Sequence, residues 1–142
     1  MTVSRLTKER LIAAGAPEAD AARASDHDWR EREIGHLLVR VETAEHLVLA
    51  YDAGVPLVVD AGRVTALEDP PRLVNSSVCA FIDVLCRYQQ YVEEVLSVAS
   101  EPGGERTAQL AARDMERLDP RAFEQDFNYW PVVCAQMIEG NL

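Results

Sequence analysis

No stretch of this sequence is apolar for long. The longest runs are a few residues, such as Val55 to Val59, far below the roughly 20 needed to cross a bilayer. The N-terminus has no secretory h-region either, so a cytoplasmic location is expected. Cysteine is scarce and odd in number. Cys79, Cys86 and Cys134 have the spacing of neither a zinc knuckle nor a redox motif. On the helix expected below, Cys79 and Cys86 stand roughly 10 Å apart at 1.5 Å rise per residue, too far to pair. Reduced, buried thiols are the expectation.

Catalytic and ligand-binding patterns are equally thin. His27, His36 and His46 occur in no H-x-x-x-H, H-E-x-x-H or H-x-E context that would preset metal geometry. Asp26-His27-Asp28 reads as a solvated charge run, because adjacent residues of an extended segment point apart. There is no G-x-S-x-G elbow, P-loop or G-x-G-x-x-G fingerprint, and Gly103-Gly104 follows a helix where nucleotide loops follow a strand. No catalytic residue, metal site or cofactor is therefore expected, and the chain is read as a binding protein, not an enzyme.

What is present is enough for one folded core. The chain has 142 residues, 48% of them hydrophobic and 27% charged, which suits one globular domain and excludes a wholly disordered one. The net charge is −10, and residues 76–142 hold eleven acids against five bases. Such a field repels phosphate backbones and anionic lipid, so neither direct nucleic-acid nor membrane binding is expected, whereas a basic protein partner would be drawn in. Thirteen of the fourteen basic residues are arginine, a bias expected of a GC-rich bacterial genome.

The pattern along the chain divides it into three parts of one α+β domain. Residues 1–34 read as a helical N-terminal segment broken at Gly15-Ala16-Pro17, followed by a charged linker over Ser25 to Glu33 that Trp29 anchors. Residues 35–75 alternate with period two. Leu37, Val39 and Val41 oppose Leu38, Arg40 and Glu42, and Leu47, Leu49 and Tyr51 repeat the alternation. Turns at Thr43-Ala44-Glu45, Asp52-Ala53-Gly54 and Ala61-Gly62 then predict a twisted antiparallel meander of four to five strands. Residues 76–142 read as helices. Val78, Phe81, Ile82, Leu85, Tyr88, Val92, Val95, Leu96 and Ala99 form one buried stripe, capped by Asn75 or Ser76 and ended by Pro102-Gly103-Gly104. A second helix over Glu105 to Leu118 turns Ala108, Ala111, Ala112, Met115 and Leu118 inward. A third begins near Asn128 with Pro131 in its first turn and Trp130 in the core.

Gly62-Arg63-Val64, the run Arg72-Leu73-Val74-Asn75-Ser76-Ser77-Val78 with Phe81, and the closing Met115-Glu116-Arg117-Leu118-Asp119-Pro120 and Trp130-Pro131 resemble the fourth branch of the SUKH superfamily of bacterial toxin-immunity proteins. The resemblance covers roughly residues 47–139. It implies an α+β domain that neutralises a toxin, often a nuclease or deaminase domain, by binding it. Asn75-Ser76-Ser77 itself reads as a cap and core junction, not a binding motif. Candidate contacts for a basic toxin domain are Asp52, Asp60, Glu68 and Asp69, acids at turns and strand ends where side chains are free to reach a partner. The alternative is an adaptor or scaffold of the same fold in a biosynthetic or regulatory complex.

Overall fold

Apolar residues alternate in the middle of the chain and recur every three or four residues after it, and the secondary structure follows that change of period. The computed structural model describes residues 6–43, 45–97 and 104–140. Two short helices, α1 (Lys8–Ala13) and α2 (Glu18–Ser25), precede six strands: β1 (Arg32–Ile34), β2 (Leu37–Thr43), β3 (Leu47–Asp52), β4 (Val55–Asp60), β5 (Arg63–Ala66) and β6 (Arg72–Asn75). The strands pair antiparallel in chain order. Then come α3 (Val78–Ser97), α4 (Gly104–Leu118), a single 3-10 turn (Pro120–Phe123) and α5 (Tyr129–Glu139). The architecture is α+β, as expected, with one core shared by the sheet and the helices.

The sheet is larger than four to five strands. β1 lies in the segment read as linker, where only Ile34 is buried. Its three residues show no apolar alternation, and pairing with β2 (Arg32↔Val39, Ile34↔Leu37) makes it a strand. Trp29 does anchor this segment: its ring lies parallel to that of Phe81, with centroids 6.4 Å apart, and its Nε1 donates to the Ala24 carbonyl at 2.8 Å.

β2 alternates as its sequence predicts, but β3 does not. A register shift between Val48 and Ala50 puts Leu47, Leu49 and Ala50 all in the core. An extra residue in one strand reverses which face every later side chain meets. Tyr51, expected beside Leu47 and Leu49, therefore pairs with Leu38 and Pro56 on the outer face, and Asp52 faces the helices opposite Leu37.

Several helical expectations change at the edges. Leu118 ends α4 at 44% exposure and Leu96 lies near the end of α3 at 75%, because both stripes run past the rim of the core. Ala44, Ala99 and Pro102-Gly103 lie outside the described residues. Cys86 is exposed, against the expectation of buried thiols, while Cys79 and Cys134 are buried and their thiols pushed up to about 12, chiefly by desolvation.

The cap of α3 also differs. Asp20, from α2, accepts from the Val78 and Cys79 amides at 3.2 Å, and the Ser77 hydroxyl accepts from Ala80 N at 3.0 Å. Asn75 and Ser76 are committed elsewhere. Asn75 Nδ2 and Ser76 N each donate to Asp119 Oδ2 at 2.9 Å, Ser76 Oγ donates to Asp119 Oδ1 at 2.7 Å, and Trp130 Nε1 donates to Asn75 Oδ1 at 2.8 Å. This network ties β6 to the end of α4 and the start of α5, and it satisfies a carboxylate that is 97% buried without a cation.

Candidate functional site

At one end of the sheet the β1–β2 turn, the β3–β4 turn, the loop after β5 and the first residue of α5 converge on a half-buried polar cluster. Gly35 turns the chain there with φ +58°, and a Cβ at this position would run into the Tyr88 hydroxyl, so glycine leaves the room that Tyr88 needs to reach His36. His36 Nδ1 lies 2.9 Å from Tyr88 Oη, and Nε2 lies 3.1 Å from Tyr129 Oη and 3.4 Å from Asp52 Oδ2. A hydrogen on Nε2 serves the Asp52 carboxylate, and Nδ1 shares a hydrogen bond with the Tyr88 hydroxyl. Arg72 closes the cluster. Its Nε donates to Glu68 Oε2 at 2.7 Å, and its guanidinium lies 5.7 Å from the centroid of the Tyr129 ring. Asp52, Glu68, Arg72 and Tyr129, with Ala53, Val55, Leu57 and Ala66, line a cavity of ≈ 210 Å³.

Burial raises the Asp52 carboxyl, but the hydrogen bonds from His36 and Tyr129 and the positive charges beside it outweigh that cost and hold it below its ordinary value. The stability this contributes is complete above the unfolded value, about 3.9, and is lost as pH falls through the lower folded value. The melting temperature of Asp52→Asn is therefore expected to trail that of the native chain by a constant amount from about pH 7 to 5, with the gap closing below about pH 4. A gap that widens in acid would contradict the placement. Desolvation pushes the Tyr88 hydroxyl up to about 12 and the Tyr129 hydroxyl higher still, so both remain hydrogen-bond donors at neutral pH.

Both ring nitrogens of His36 have hydrogen-bond partners within the cluster, Nδ1 toward Tyr88 and Nε2 toward Tyr129 and Asp52. What remains open to a partner is the cavity and its charged wall. Among the described residues no three His, Cys, Asp or Glu side chains come together as a metal site.

The four acids expected to contact a partner do not form one group. Asp52 is bound to His36 and Tyr129, and Glu68 to Arg72. Asp69 is exposed next to Glu68. Asp60 is exposed at the other end of β4, roughly 17 Å from the Asp52 turn at 3.3 Å per strand residue. His36, Tyr88, Arg72 and Tyr129 went unrecognised as site residues. The available signal was in the tyrosines, since a buried hydroxyl requires a partner, but those partners lie 52 and 93 residues away.

A family model described as SUKH-4 immunity protein matches residues 3–136. The match takes in the N-terminal helices, which the resemblance over residues 47–139 leaves out. No curated protein and no solved structure matches the chain.

Proposed function

The chain belongs to the SUKH-4 immunity protein family, and from that premise we propose that it neutralises a cognate bacterial toxin domain by binding it directly, without catalysis. Family membership is the observation that carries this reading. The geometry supports it in two ways: the cluster at the sheet end engages both nitrogens of its histidine, and the chain's negative charge suits a basic toxin. Asp52, Glu68 and Asp69 lie together at that sheet end as the acids that contact the partner, with Asp60 apart from them.

The test is to identify a toxin-like open reading frame beside this gene and to co-express its product with the chain. Survival of the host together with a stable complex of the two purified chains is expected, and protection without a complex would overturn the reading. Association should slow as ionic strength rises from about 0.15 M, where the Debye length is roughly 8 Å, toward 1 M. Amides at Asp52, Glu68 and Asp69 together should weaken that salt dependence, while amides at Glu93 and Glu94 on the exposed side of α3 should leave it unchanged.

A further inference from the structure

The outer face of the sheet departs from the composition that a solvated face requires. An antiparallel sheet that packs one face on a core carries polar residues on the other. Two rows of side chains cross this outer face. Strand pairing places Glu33, Leu38, Tyr51 and Pro56 side by side, and Leu67, whose amide donates to the Pro56 carbonyl at 2.9 Å, ends the row. Glu42, Val48, Val58, Thr65 and Leu73 make the second row. Apart from Thr65, each row is apolar after its leading glutamate. None of these apolar residues belongs to the core shared by sheet and helices or packs against it. Val48 and Val58 are buried even so, while Leu38, Tyr51, Pro56 and Leu73 are half-buried and Leu67 is exposed.

Charge around the two rows gathers on one side. Arg40 of β2 is held by Glu31 through hydrogen bonds of 3.0 and 3.2 Å, and Asp60 stands opposite Arg63 at the far end of β4. These pairs cancel, and Glu33 and Glu42 leave the β1–β2 side negative. Glu42 also takes the hydrogen bond of the Tyr51 hydroxyl, which fixes the ring before a partner arrives. Leu38, Arg40, Glu42 and Tyr51 line a shallow recess of ≈ 520 Å³ there, with room for an anchoring side chain. A contiguous apolar patch with a charged rim marks a protein contact. The net charge of −10 on each chain opposes a second copy as its occupant and attracts a basic one.

We propose that the toxin domain docks on this outer sheet face, with apolar side chains across Leu38, Tyr51, Pro56, Leu67 and Leu73 and arginine or lysine side chains beside Glu33 and Glu42. This rests on the toxin-binding reading and adds the surface that makes the contact and the chemistry of the partner's matching surface. Tyr51 and Leu67 directly precede Asp52 and Glu68 in the chain, so the face is continuous with the acids at the sheet end. Tyr51 is the anchor at its centre, an aromatic of the kind that dominates binding energy at protein interfaces.

The experiment uses the whole chain with labelled leucine methyls, free and in complex with the inactivated product of a toxin-like reading frame beside the gene, in the presence of a soluble nitroxide. In the free chain the nitroxide should broaden Leu67 and Leu73 on the sheet face, and Leu96 and Leu110 on the helices, which are 75% and 47% exposed. In the complex only the helix pair should stay broadened. Tyr51→Ala, with its fold verified by circular dichroism, should weaken the complex about thirtyfold or more, and Leu110→Ala should leave it unchanged. Face methyls that stay broadened in the complex, or undiminished affinity in folded Tyr51→Ala and Leu67→Ala chains, overturn the proposal. Face methyls already shielded in a free chain that sediments as a dimer assign the face to a second copy and overturn it too. A chain that forms no complex with that product overturns the toxin-binding reading itself, and the docking assignment falls with it.

Discussion

Replacing Trp130 with alanine is expected to destabilise the protein by about 3–5 kcal/mol, the cost of emptying a large aromatic site in a packed core. The indole is fully buried and stands against Tyr88, with centroids 5.5 Å apart, and edge-on to Tyr129 at 5.0 Å. Truncation removes that packing and also strips Asn75 Oδ1 of its donor. Trp130→Phe separates the two contributions. It keeps a ring but leaves the buried Asn75 carbonyl unsatisfied, a loss of about 1–3 kcal/mol. Urea unfolding of both variants measures the difference. A Trp130→Ala chain with an unchanged midpoint would mean that the ring does not hold α5 to the sheet.

The second large effect is expected at Asp119. Its carboxylate takes three hydrogen bonds from Asn75 and Ser76, and Asp119→Ala leaves the Asn75 amide and the Ser76 N–H without an acceptor. At about 1–3 kcal/mol per orphaned buried donor, a loss of roughly 3 kcal/mol is expected. Asp119→Asn should cost less, since its carbonyl oxygen still accepts and the Ser76 hydroxyl can turn to accept from the new amide. Asn75 links the aspartate to the indole, so Asp119→Ala and Trp130→Phe share a partner, and their combined cost should fall short of the sum of the two. Strict additivity in a double-mutant cycle would show that the network does not act as a unit.

These two sites explain why the most family-like residues of the sequence are spread so widely along it. Val74-Asn75-Ser76-Ser77, Asp119-Pro120 and Trp130 look like separate motifs, and reading Asn75 or Ser76 as the cap of α3 follows from local rules alone. In the folded protein Ser77 and Asp20 cap the helix, which releases Asn75 and Ser76 to bind a residue more than forty positions away. The expectation of a structural role was sound, although the mechanism assigned to it was not.

The break at Gly15-Ala16-Pro17, the stripe of α3 and the turns at Asp52-Ala53-Gly54 and Ala61-Gly62 were all legible, because each is set by neighbours in the chain: a φ, a missing N–H, or an apolar residue on every turn. Ala53 and Ala61 adopt positive φ, at 50° and 52°, just before Gly54 and Gly62 at 87° and 80°, as the tight hairpin turns require. β1 was not legible, since a three-residue edge strand of charged composition exists only through its partner β2. Nor was the shift in β3, which depends on how both neighbouring strands register against it.

The sequence by itself therefore determined the class of fold, the order of its elements, the core stripe of α3 and the kinship. The first three rest on patterns that repeat within a few residues, and the kinship on short motifs spaced along the chain. Tertiary structure alone decided the candidate site. The register shift in β3 turns Asp52 toward the helices, α3 and α5 bring Tyr88 and Tyr129 to the two nitrogens of His36, and the closing of β5 onto β6 sets Glu68 beside Arg72. A carboxylate at a strand end reads as free in the sequence because its hydrogen-bond partners come from elements distant in the chain, and only closure of the sheet against the helices brings them within 3.5 Å.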